Sequence, residues 1–266
     1  MNEVNYEYLK EQLKNTGFGE TLNAELANKI TDAPAEFQML HNKEFGKDTV
    51  QATLHFKKGA DSDMYFFNRY QLQLANGKNE NATRQTFYIN KGSSITLKEG
   101  YNLLAGRAVH KTLTNKEGEK YGAWLQLDFK NTTSNGNFET KQFHQNYGYD
   151  IEKVLGKYPV KELADEQSRK QLLSSLERGN LQAATFQVDG KEERLFITAN
   201  QEYKTLMAYN SANQKVSLRE LFQVKEQDNK QEQKPEISVK QEATEGKTVK
   251  QKKNKPAEKK SRKVKV

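Results

Sequence analysis

The sequence predicts an α+β protein: repeated units of one helix followed by an antiparallel three-strand meander, then a disordered, Lys-rich C-terminal segment. Three observations predict it. Stretches with two-residue apolar alternation recur in groups, a short amphipathic helix precedes each group, and hairpin-type turn signals join the strands. Hydrophobic residues make up only 34% of the 266, so a folded body and a polar segment must share the chain.

The first unit is assigned to residues 1–92. In "GETLNAELANKI", Leu22, Leu26 and Ile30 recur at helical spacing, with Thr21 placed to cap the start. Strands are expected at "EFQMLHN", "TVQATLHFK" and "DMYFFNRYQLQLA", with "RQTFYINKG" as a partner strand bringing Tyr88 and Lys91. Val50, Ala52, Leu54 and Phe56 alternate with Gln51, Thr53, His55 and Lys57, the pattern of a half-buried strand.

The second unit, residues 93–160, starts at "TLKEGYNLLAG", where Thr96 and Glu99 fit a capping box and Gly106 a helix stop. "RAVHKTLT", "YGAWLQLDFK" and "NFETKQF" follow as strands, the last two joined through the Asn135-Gly136 turn. In the middle strand, Ala123, Leu125, Leu127 and Phe129 are expected to face the core, and Trp124, Gln126 and Asp128 to face away. A linking helix at "DIEKVLGKY", capped by Asp150 and followed by Pro159, ends the unit.

The third unit, residues 161–225, has a helix at "EQSRKQLLSSLERGN" with Leu172, Leu173 and Leu176 on one face and Gly179 at its end. Strands follow at "LQAATFQV", "ERLFITA" and "YKTLMAYN", the first two joined through Asp189-Gly190. Residues 226–266 have no aromatic side chain, too little apolar surface to offset ordering entropy, and are expected to be disordered.

Charge is distributed unevenly. Residues 247–266 hold ten Lys or Arg and one acid, Glu258. Removing that +9 from the overall +8 leaves residues 1–246 at −1. Lys250, Lys252, Lys253, Lys255, Lys259, Lys260, Arg262, Lys263 and Lys265 are therefore candidate contacts to the phosphates of DNA or RNA, with salt-sensitive affinity and little base selectivity. A solubilising segment with incidental polyanion affinity is the other reading.

On the folded part, "DMYFFNRYQLQL" interleaves aromatics with a cation. Strict alternation puts Tyr65, Phe67 and Arg69 on one face, where they form a candidate base-stacking surface. A central strand with one face in the core is the alternative.

Other chemistry has no support in the sequence. The chain lacks cysteine, which excludes disulfides, thiolate metal sites and Cys nucleophiles. His41, His55, His110 and His144 show no metal-ligand spacing, and the carboxylates form no acid–base pair. "TGFGE" fits neither a phosphate loop nor a dinucleotide motif and is expected to be a turn between helices. No cofactor is predicted. The charged start of the chain has no secretory apolar region and no stretch has membrane-span length, so a cytoplasmic location is expected.

Several long blocks carry a resemblance: "LKEGYNLLAGRAVHKTLTNKEGEKYGAWLQLDF", "KQFHQNYGYDIEKVL" and "SLERGNLQAATFQVDGKEERLFITANQEYKTLMAYN", with "YLKEQLKNTGFGETL" and "DMYFFNRY" before them. Together they resemble an uncharacterised domain family encoded in conjugative transposons and related mobile elements of Bacteroidota. The resemblance covers residues 5–222 and implies a mobile element as the setting; with the charge run and the lack of catalytic motifs, it leads to the expectation of a non-enzymatic accessory role in DNA processing or transfer. That role would act through nucleic acid, through a DNA-processing protein of the same element, or both. It carries over no catalytic residue. A protein–protein adaptor with no nucleic-acid role, its basic segment serving only solubility or weak tethering, is the rival reading.

Overall fold

The computed structural model describes residues 2–75, 82–90 and 92–222. Lys91 and residues 223–266, with the candidate phosphate contacts from Lys250 to Lys265, lie outside the described residues.

The first unit contains α1 (Glu3–Asn15), α2 (Asn23–Thr31), β1 (Glu36–Phe45), β2 (Asp48–Lys58), β3 (Tyr65–Ala75) and β4 (Thr83–Tyr88). The strands form one antiparallel sheet in the order β1-β2-β3-β4. "TGFGE" is the turn between α1 and α2. Gly17 and Gly19 take φ of +90° and +73°, which cost a residue with a β-carbon energy, and swing the intervening Phe18 into the core. There it meets Phe67 and Tyr70 edge-on. Thr21 does not cap α2; that helix starts after Leu22 with no side-chain cap.

Strict alternation fails at one point in β3. Phe56 pairs with Phe67, but the preceding residue of β2, His55, pairs with Arg69, so Asn68 is an extra residue. This bulge shifts the side-chain phase by one. Before it, Tyr65 and Phe67 point into the core; after it, Tyr70, Leu72 and Leu74 do. Phe37, Phe56 and Phe67 stack as a ladder across three strands, with ring centroids 4.7 and 4.9 Å apart. Helices α1 and α2 cover this face together with α3 (Leu97–Leu104).

The second unit continues from α3 into β5 (Val109–Thr114), β6 (Lys120–Thr132) and β7 (Phe138–His144), then α4 (Ile151–Leu155). The capping box forms as the sequence predicts: Thr96 Oγ1 accepts from Glu99 N–H, and Glu99 Oε2 accepts from Thr96 N–H. Asp150 caps α4. The third unit comprises α5 (Glu166–Glu177), β8 (Gln182–Val188), β9 (Lys191–Asn200), β10 (Thr205–Tyr209), the short β11 (Lys215–Val216) and α6 (Leu218–Phe222).

The β5-β6-β7 sheet is buried on both sides. Val109, Ala123, Leu125 and Leu127 belong to the core shared with the first unit. Trp124 and Phe143 belong to a second core built from α4, α5, β8, β9 and β10. Trp124 therefore does not face away from the interior; it is 5% exposed. Phe129, expected inside, is 44% exposed. The pairing of β6 with β7 slips between Asp128 and Thr132, which breaks the alternation just before Phe129.

Equivalent helix ends of the second and third units meet directly. Asn102 of α3 is fully buried and donates to the carbonyl of Arg178 and to Asn180 Oδ1, at 2.6 and 2.9 Å. Arg107 donates to Asn102 Oδ1 and to the carbonyl of Gly179. Gln85 ties the first sheet to the second by accepting from Phe138 N–H and donating to its carbonyl.

Burial has a consequence for pH. His41, His55 and His110 are each held below the ordinary histidine pKa, first by burial. Their neutral forms are the ones the fold prefers, so the unfolded chain takes up protons first as pH falls. The stability contributed is full above about pH 6.5 and is lost as pH falls through that value towards the folded pKa values. A urea midpoint lower at pH 5 than at pH 7.5 is expected, with His110→Gln flattening the slope. Imidazole titrations by NMR with midpoints above 6.5 would contradict this.

Candidate functional site

The face of the first sheet turned away from the helices is open to solvent, and its composition follows from register. Gln38 pairs with His55, His55 with Arg69, and Arg69 with Tyr88, so these four side chains form one row across all four strands. Glu36, Lys57 and Phe66 form the row on one side of it. Asn42, Gln51, Gln73 and Arg84 form a row near the opposite end. Phe66 is 46% exposed, and Tyr88 is half-buried. A cavity of about 450 Å³ lies among Gln38, His55, Lys57, Asn68 and Arg69.

Two of the three fold residues singled out for stacking are misplaced. Tyr65 and Phe67 are 1% and 3% exposed and pack in the core, so neither can stack a base. The bulge at Asn68 is the cause: it puts Tyr65 and Phe67 on the opposite face from Arg69. Arg69 remains exposed, and Phe66 replaces the two lost rings on its face. The signal was in the sequence only as alternation, and alternation does not reveal where a strand gains a residue. Tyr88 does join the face, on the strand expected to carry it.

The electrostatics of the face are mildly basic. Lys57, Arg69 and Arg84 stand against Glu36 and Glu44. Burial, and then the neighbouring Arg69, hold His55 below its usual pKa, while Glu36 acts in the opposite direction. His55 is therefore uncharged near pH 7 and becomes cationic only on acidification.

A groove of about 760 Å³ lies beside this face, between α1 and the edge of β3. Tyr8, Gln12, Phe66, Phe67, Asn68 and Ile89 contribute to its walls. Strand β4 pairs with β3 only from Arg69 onward, so no strand covers β3 at Tyr65–Phe67 on this side. Asn5 fills part of that gap: its side-chain amide accepts from Tyr65 N–H at 2.7 Å and donates to Tyr65 C=O at 2.9 Å. Lys111 reaches the groove but is bound to the buried Glu99 at 3.1 and 3.2 Å.

Among the described residues, no three His, Asp or Glu side chains are grouped to hold a metal. No helix among them is long and apolar enough to cross a membrane. No family model, curated protein or solved structure matches this chain.

Proposed function

We propose that the chain is a non-enzymatic, cytoplasmic accessory protein of a mobile element, and that it binds single-stranded nucleic acid across the open face of its first sheet. The observation that carries this reading is the row Gln38–His55–Arg69–Tyr88 with Phe66 and Lys57 beside it. Exposed rings give sequence-tolerant stacking for unpaired bases, Arg and Lys meet the phosphates, and carboxamides reach base edges. The Lys-rich residues 247–266 would add attraction without base selectivity. The mobile-element setting rests on the block resemblance, as does a DNA-processing protein as companion.

The test is fluorescence anisotropy with labelled single-stranded DNA over a salt series. Full-length protein is compared with a form ending at Gly246 and with Phe66→Ala and Arg69→Ala. Loss of the last twenty residues should flatten the salt dependence, while Phe66→Ala should weaken binding by about 1–3 kcal/mol. Affinity should rise as pH drops through the His55 transition, and His55→Gln should remove that rise. If the shortened form binds nothing and Phe66→Ala is silent in the full chain, the open face has no part in binding.

A further inference from the structure

We propose that the groove between α1 and the edge of β3 is a docking site for an extended peptide of a partner protein, one that carries an apolar side chain next to a basic one. Four observations converge. The outer edge of β3 at Tyr65–Phe67 has no strand beside it, and the Asn5 amide already bonds Tyr65 N–H and C=O as a neighbouring strand would. A peptide strand that displaces the Asn5 amide takes over its two main-chain hydrogen bonds.

Gln12 lines the groove, and its Oε1 is buried with no hydrogen-bond partner. A buried acceptor without a donor is costly, and a turn of the Gln12 side chain into the groove would let a peptide N–H satisfy it. Tyr8 and Phe66 stand on opposite walls at 53% and 46% exposure, giving an apolar cleft for one side chain.

Charge chooses the partner. Glu11 lines the groove and makes no ion pair among the described residues. Lys111, the cation in the same lining, is neutralised by Glu99. Among the described residues the unbalanced charge of the lining is negative, which repels a phosphate backbone and favours a Lys or Arg on the incoming strand. The groove and the open face thus select different ligands although Phe66 borders both.

The test uses full-length protein and four labelled, end-blocked hexapeptides: alternating Val and Lys, alternating Val and Glu, alternating Val and Ser, and the Val–Lys peptide with alternate amides N-methylated. The Val–Lys peptide should bind best, with the Val–Glu and N-methylated forms at least about tenfold weaker. Binding should shift the backbone resonances of Tyr8, Gln12 and Phe67. Glu11→Lys should reverse the charge preference, and Tyr8→Ser should weaken all peptides while leaving single-stranded DNA binding unchanged. Equal binding of the N-methylated peptide would overturn strand addition, and an unchanged charge preference in Glu11→Lys would overturn the assigned partner chemistry. Tighter binding at these resonances by a peptide of residues 247–266 would give the groove to the chain's own basic segment instead. Resonance shifts that appear on self-association alone would give it to a second copy.

Discussion

Phe67→Ala is expected to destabilise the protein by about 3–5 kcal/mol, the usual cost of emptying a buried phenylalanine site, while Phe66→Ala changes stability by less than about 0.5 kcal/mol. The two rings are neighbours in sequence and chemically identical. Phe67 is 3% exposed, stacks on Phe56 at 4.9 Å and meets Phe18 edge-on. Phe66 is 46% exposed on the other face. Removing Phe67 leaves a cavity where the aromatic ladder meets Phe18 and Tyr70, and the backbone of three paired strands resists collapse there. Denaturant unfolding of the two variants measures the difference. Equal costs, or the reverse order, would mean that the bulge does not lie at Asn68 and that the open face carries different side chains.

Gly179→Ala should be nearly as damaging. Gly179 has φ +77°, and a β-carbon there would lie 2.6 Å from the carbonyl oxygen of Ala108, 2.9 Å from Val109 Cγ2 and 3.1 Å from Asn102 Cβ. The left-handed backbone contributes about 1–2 kcal/mol, and forced overpacking about 1–3 kcal/mol more. The carbonyl belongs to backbone and cannot rotate away as a side chain would. Gly136→Ala provides the control: its φ is also +77°, but nothing lies within 4 Å of the added carbon. Only the backbone contribution should appear there. Thermal melts of both variants separate the two effects. A Gly179→Ala protein no less stable than Gly136→Ala would show that the helix ends do not abut as described.

The elements themselves were legible because their signals are local. The Thr96–Glu99 capping box, the Asn135-Gly136 and Asp189-Gly190 turns and the alternation in β2 each specify a few consecutive residues, and each appears where expected. What the sequence hid depends on how elements add together. Trp124 sits at a position that alternation assigns to solvent, and it is buried because Tyr149, α4 and the third unit cover that face of β6. Tyr65 and Phe67 were grouped with Arg69 because a strand with one residue too many has no distinct composition; Asn68 resembles any polar residue on an edge. The groove was invisible for a similar reason: its walls come from α1, β3 and the segment after β4, and it is open because β4 ends at Tyr88, opposite Arg69.

The two-sided burial of the β5-β6-β7 sheet also bears on how the chain is made. About 60 residues separate Trp124 from Phe186, one of the side chains that shares its core. A ribosome adding roughly 5–20 residues per second takes about 3–12 s to cover that distance. During that interval the first unit has its full complement of strands, and the second sheet can pack one face against it. The Trp124–Phe143 face has only Tyr147, Tyr149 and α4 of its own unit to rest on until α5 and β8 emerge. The nascent protein therefore passes through a stage with one finished core and one half-covered aromatic face, and that face is where a chaperone or a misplaced neighbour would first take hold.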